Sequence, residues 1–110
     1  STFQKDVMIM ETTYPWTTEY ADNYSNIINT SLLAPGYPAT EKGQYEYMHA
    51  LTQEIIEGGG KGIFSWEPAW ITSGMKDQWG TGSSWECNTF FDFDCNSIKG
   101  IRFMTDKYNF

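Results

Sequence analysis

Two apolar tracts, each leading into a glutamate and separated by one amphipathic helix, confine this chain to a parallel strand, helix, strand unit. Val7, Met8, Ile9 and Met10 run without polar alternation into Glu11. Such a run fits a strand buried on both faces, the kind that parallel sheets contain. The second tract, residues 62–71, reads GIFSWEPAWI. Ile63, Phe64 and Trp66 supply its strand and Glu67 lies at the end. Pro68 then stops the strand because it has no amide proton to donate.

The connection has the composition of a crossover. Residues 18–40 are rich in Asn, Ser, Thr and Pro and include the turn run Ala34-Pro35-Gly36-Tyr37-Pro38, where the prolines stop both helix and sheet. Thr40 is suited to cap a helix, and Glu41 favours its positive end. Tyr45, Met48, Leu51, Ile55 and Ile56 recur at three to four residue spacing, an apolar stripe able to cover a sheet. Gly58-Gly59-Gly60 ends the helix, and the βαβ crossover is expected to be right-handed. Beyond the second strand, residues 72–88 read as an irregular stretch containing Trp79 and Trp85. Residues 88–94 read as briefly extended, and 97–108 as a final helix with Ile98, Ile101 and Phe103 inward. Loops this long are uncommon unless they carry function.

This order puts chemistry at one rim. α/β barrels and open α/β sheets place their reactive groups at the carboxyl ends of the strands, where both Glu11 and Glu67 fall. The alternative for Glu11 is that it begins a solvated loop. Trp66 and Trp70 could stack on the apolar face of a sugar ring while their indole N–H groups stay free to hydrogen-bond; the alternative is ordinary packing. Seven basic against fourteen acidic residues give a net charge of −7, which repels a phosphate backbone. No nucleic-acid partner is expected. The sequence has no apolar run of membrane-spanning length, so no membrane insertion is expected either.

The remaining candidates are weaker. His49, the only histidine, falls on the helix without a partner motif and reads as a solvated residue rather than a catalyst or ligand. Asp92 and Asp94 read as a solvated turn face. Cys87 and Cys95 are eight residues apart, roughly 26 Å if extended, whereas a disulfide needs Cα atoms within about 7 Å. A bridge therefore requires residues 88–94 to fold back; the alternative is two buried thiols.

The motifs ETTYPWT from Glu11, GQYEYM from Gly43, WEPAWI from Trp66, WGTGSSWE from Trp79 and FFDFD from Phe90 resemble the arabinogalactan endo-β-1,4-galactanases of glycoside hydrolase family 53. The resemblance covers nearly the whole chain in order, and WEPAWI is its most specific part. It implies a (β/α)8 TIM barrel with retaining chemistry, of which residues 1–110 would be the carboxyl-terminal portion, strands seven and eight with their loops and helices. A complete barrel takes about 250 residues, so the chain is expected to be a fragment of a single catalytic domain. By the same resemblance Glu11 is the nucleophile and Trp66 lines the subsite of the sugar whose bond is cleaved. Tyr14, Trp16 and Trp70 are the expected substrate-contacting neighbours. Glu67, one residue beyond that tryptophan, is expected to orient neighbouring loops by accepting hydrogen bonds.

A retaining glycosidase needs two carboxyl groups about 5 to 5.5 Å apart. In this family the acid/base ends strand four, a segment without a counterpart here, so the isolated chain is expected to be inactive. The implied partners are galactan or arabinogalactan and the rest of the barrel, or a second copy of the fragment. The implied location is secreted, periplasmic or cell surface. No cofactor is expected; some members hold calcium near the segment containing Asp22, Asn23, Ser25 and Asn26, but that segment lacks the acidic density or spacing calcium prefers. The Cys95 position departs from the family pattern, where a turn glycine commonly stands. Two other readings are a non-catalytic carbohydrate-binding module, disfavoured because most such modules are β-sandwiches, and a related barrel glycosidase acting on another β-glycan.

Overall fold

The computed structural model describes residues 3–74, 76–78 and 80–110; Trp79 of the WGTGSSWE motif lies outside the described residues. Strand β1 (Ile9–Thr12) and strand β2 (Ile63–Ser65) form a two-stranded parallel pair, with helix α1 (Glu41–Glu57) between them in sequence. The expected βαβ unit is therefore present. The ladder runs from Lys61 N–H on the Val7 carbonyl (2.8 Å), through Ile9 N–H on Gly62 (3.1 Å), to Trp66 N–H on Thr12 (2.8 Å).

The register contains an irregularity that the apolar pattern does not reveal. Ile9 pairs with Ile63 and Thr12 with Ser65, so three steps along β1 match two along β2. The extra residue falls at Met10–Glu11, and these two consecutive residues are both exposed. A bulge of this kind re-aims a side chain. Glu11 consequently lies within the distorted carboxyl end of β1.

The expectation of a strand buried on both faces is not met in this chain. Val7, Met8 and Met10 are exposed, Met10 by 69%, and Phe64 of β2 is 51% exposed. Each strand has only one paired edge among the described residues, so no neighbouring strand covers these side chains. An apolar trough of about 640 Å³ runs along β2 between α1 and the carboxyl-terminal segment, lined by Ile56, Ile63, Phe64, Phe103 and Tyr108 among others. The radius of gyration, 15.2 Å, exceeds the roughly 13 Å of a compact domain this long.

Helix α1 forms where its caps require. The Thr40 side chain accepts from Gly43 N–H, and Gly58 N–H returns to the Glu54 carbonyl. Its buried face differs from the apolar stripe: Gln44, Met48 and Thr52 are buried at four-residue spacing, whereas Tyr45, Leu51, Ile55 and Ile56 flank them half-buried. The core lies on this face, built from Tyr14, Met48, Phe90 and Phe103 with Leu33, Tyr37, Tyr47, Ile63 and Ile101 against it. The final helix is a 3₁₀ segment, Lys99–Thr105, with Ile98 and Phe103 buried. Residues 88–94 form no strand; one bridge between Phe91 and Ser97 closes a turn organised by Asp92, whose carboxylate accepts from the Asp94 and Asn96 amides. Residues 72–88 include a small antiparallel pair, β3 (Lys76–Asp77) and β4 (Gly80–Thr81).

Buried polar groups tie the loops after β1 and β2 to each other. Glu86, 2% exposed, accepts from Ala21 N–H at 2.7 Å through one carboxyl oxygen, while the other has no partner. The Asp22 carboxylate accepts from Ser83 N–H (2.5 Å) and Tyr24 N–H (2.6 Å). A Cβ at Gly82 would stand 2.5 Å from Asp22 Oδ2, at a φ of +120°, so only glycine admits this approach. Both thiols are free: Cys87 is buried, where desolvation pushes it up to about 11, and Cys95 is exposed. The fold thus contains neither the bridge nor two buried thiols. His49 stays partly exposed on α1 but is not without partners: Nδ1 lies 2.9 Å from Asp106 Oδ2 and its ring stacks on Tyr108, fastening the carboxyl-terminal tail to α1. No helix among the described residues is long and apolar enough to cross a membrane.

Two outcomes are expected. With so much uncovered apolar surface beside free strand edges, the isolated chain should self-associate, giving concentration-dependent sedimentation; a monodisperse monomer would contradict this. Burial raises the Glu86 carboxyl above the usual carboxylate range, with the Ala21 amide opposing and Asp22 adding to the rise. A raised folded pKa means stability fully present below the unfolded value and lost as pH rises through the folded one. In a complete domain, Glu86→Gln should therefore raise Tm at neutral pH, the advantage shrinking below about pH 4.5; an advantage independent of pH would show that Glu86 is not neutral when the protein is most stable.

Candidate active site

The bulge at the end of β1 and the last backbone bond of β2 together determine what surrounds Glu11. Trp66, anchored through its amide to Thr12, is drawn alongside the end of β1. The two elements line a cavity of about 380 Å³ with Glu11, Thr12, Thr13, Trp66 and Trp85. The Glu11 carboxylate is exposed at its edge and makes no hydrogen bond with the described residues. An exposed, unpaired carboxylate in a cavity walled by two indoles is chemically able to act as a nucleophile or a base.

A second cavity of about 330 Å³ shares Trp66 and Trp85 and adds Trp70, Tyr24, Ile27 and the 82–84 backbone. Trp66 stands edge-on to Trp85 at 4.7 Å between ring centroids and is stacked with Trp70 at 6.1 Å. The chain reverses between Trp66 and Trp70 through Glu67, whose φ of +44° is left-handed, a conformation that costs a non-glycine residue roughly 1–2 kcal/mol. Such local strain is commonly maintained at functional sites. Three tryptophans thus form one partly exposed aromatic surface next to a carboxylate.

Not every sequence candidate belongs to it. Tyr14 is a core residue, 5% exposed: its hydroxyl donates to the Tyr37 carbonyl (2.7 Å) and accepts from Ala34 N–H (2.9 Å), and its ring stacks on Tyr47 at 3.9 Å. In this conformation Tyr14 does not line the Glu11 cavity. Its hydroxyl is satisfied within the protein and carries a pKa raised by burial. Trp16 is also turned into packing, with its indole N–H on the Glu86 carbonyl (3.3 Å) and its ring tilted against Phe93. Glu67 is exposed and its carboxylate accepts no hydrogen bond from the described residues, so it does not orient loops in the expected way. Trp85 joins the site although the sequence marked it only as a loop residue.

In the segment considered for calcium, Asn26 Oδ1 is buried without a partner among the described residues. Both Asp22 oxygens serve backbone amides, Asn26 donates to the Glu19 carbonyl, and no group of three His, Cys, Asp or Glu side chains suited to a metal occurs among the described residues.

Comparison with known proteins identifies the family. The family model for Glycosyl hydrolase family 53 matches residues 1–104. The chain is 42% identical over 92 residues to an arabinogalactan endo-beta-1,4-galactanase of Cellvibrio japonicus, covering 84% of this chain and 24% of that protein. It is 34% identical over 104 residues to an endo-beta-1,4-galactanase of Bacillus subtilis, covering 86% and 24% respectively. Among solved structures, the Ignisphaera aggregans GH53 catalytic domain superposes with a TM-score of 0.79 at 27% identity, covering 96% of this chain and 31% of that one. The chain spans about a quarter of the length of these curated relatives. On the match over residues 1–104, the chain belongs to glycosyl hydrolase family 53.

Proposed function

We propose that this chain is the nucleophile-bearing part of an endo-β-1,4-galactanase, its β1 and β2 being strands seven and eight of a (β/α)8 barrel. The observation that carries this reading is the exposed Glu11 carboxylate, held by a bulged parallel strand in a cavity with Trp66 and Trp85. Family membership and the galactanase names of its relatives support the substrate class. The acidic chain favours an uncharged polysaccharide over a nucleic acid.

In this mechanism the ionised Glu11 attacks the anomeric carbon of a β-linked galactosyl unit as the glycosidic bond breaks. A carboxylic acid from another part of the domain protonates the departing oxygen. The covalent galactosyl-Glu11 ester is then hydrolysed by water, with that second group acting as base, so the anomeric configuration is retained. Trp66 forms the apolar floor under the reacting sugar, and Trp70 and Trp85 extend it to the neighbouring unit. The isolated chain carries one of the two carboxyl groups and is inactive alone. A polymeric substrate places the enzyme outside the cytoplasm, secreted, periplasmic or at the cell surface.

In the complete domain, Glu11→Ala should abolish galactan hydrolysis while oligosaccharide binding persists. Azide should restore cleavage of an activated galactoside with inverted configuration, because it fills the vacated space and attacks from the same face. Turnover at the wild-type level would remove Glu11 from the mechanism.

A further inference from the structure

We propose that Gln44 is a positioning residue, whose side-chain amide fixes the separation between the loop that follows Glu11 at the end of β1 and the segment that follows Trp85. The proposal rests on the reading of Glu11 as nucleophile. Gln44 lies on the inner face of α1 and is 0% exposed. Its Nε2 is 2.8 Å from the Tyr14 carbonyl and 2.9 Å from that of Thr89, with the Asn88 carbonyl at 3.3 Å. Three acceptors converging on one atom settle which end of the amide faces them, since only the NH₂ can donate. Its two protons serve the two short contacts.

The carbonyls come from both rims of the site. Tyr14 is three residues beyond Glu11, and Asn88 is three beyond Trp85. Without a donor between them, buried carbonyl dipoles repel and leave unsatisfied acceptors. Gln44 converts that repulsion into a fixed spacing and refers it to a capped, rigid helix. Neighbouring bonds follow the same seam: Thr13 Oγ1 donates to the Asn88 carbonyl, and Trp16 N–H to that of Cys87 at 2.8 Å. On the other side the amide has no slack. Gln44 Oε1 has no donor among the described residues and lies against Gly100, where a Cβ would come within 1.9 Å of it. The side chain is therefore wedged from behind and bonded in front.

The test uses the complete domain with Gln44→Met, which keeps the volume and removes the donors, and Gln44→Glu. Activity is measured per folded molecule, well below Tm, beside amide hydrogen exchange. For Gln44→Met the proposal expects kcat on galactan to fall about tenfold to a hundredfold, the size of loss a misplaced reacting group produces, with KM within about twofold. The Trp16 and Phe90 amides should exchange faster. Gln44→Glu should be defective at neutral pH, where its carboxylate faces three carbonyls, and should recover kcat relative to Gln44→Met as pH falls and its O–H can donate. If Gln44→Met does not fold, Gln44→Glu decides the matter by its kcat relative to wild type at each pH, which should rise as pH falls; a ratio constant with pH would overturn the proposal. A lowered Tm with unchanged kcat per folded molecule, or unchanged amide exchange at Trp16 and Phe90, would overturn the proposal. Wild-type protein that cleaves no galactan would instead defeat the galactanase reading, and the exchange measurement would still judge the tie.

Discussion

The parallel pairing of β1 with β2 is the constraint on which everything else in this chain depends. Parallel neighbours need a crossover, and α1 supplies it, so the two loops leaving the strands emerge on the same side. The last backbone bond, Trp66 N–H to the Thr12 carbonyl, joins those loops where they begin. The bulge at Met10–Glu11 falls beside the cavity that Glu11 lines together with Trp66 and Trp85. Had the register remained regular, Glu11 would have kept the alternation of an ordinary strand.

Above the pair, the loops are held mainly by polar groups rather than by an apolar core. Gln44 and Asp22 each bind backbone from both loops, and Glu86, itself on the second loop, holds the Ala21 amide of the first. Buried hydrogen bonds of this kind are directional, so they fix positions that apolar contacts would leave free to slide. The apolar core lies instead between α1, the Tyr14 loop and the carboxyl-terminal 3₁₀ segment. Rigidity at the site and cohesion of the chain therefore have different physical sources.

The same division explains what the sequence revealed. Thr40 and Gly58 were readable because caps depend on local chemistry, and both occur where expected; a strand forms in each apolar tract, the first displaced to Ile9–Thr12. Gln44 and Thr52 were not, because apolar periodicity counts only apolar residues and passes over a polar side chain buried by its hydrogen bonds. Tyr14 was misread for a related reason: a tyrosine beside a strand-end glutamate has the same local sequence whether its hydroxyl faces a sugar or the Ala34 and Tyr37 backbone. Trp85 joins Trp66 only through long-range packing, which no nearby pattern announces. Val7, Met8 and Met10 read as buried because the pattern describes a strand with neighbours on both sides, and this chain supplies one.

The central claim is that the carboxylate at the β1 bulge forms the covalent bond to the sugar. A 2-deoxy-2-fluorogalactoside with a good leaving group slows hydrolysis of such an intermediate and allows peptide mass spectrometry to locate it. The complete domain, labelled and digested, should carry one fluorogalactosyl group on Glu11 within its ETTYPWT peptide. A label on Glu67 or on any residue outside that peptide would contradict the account.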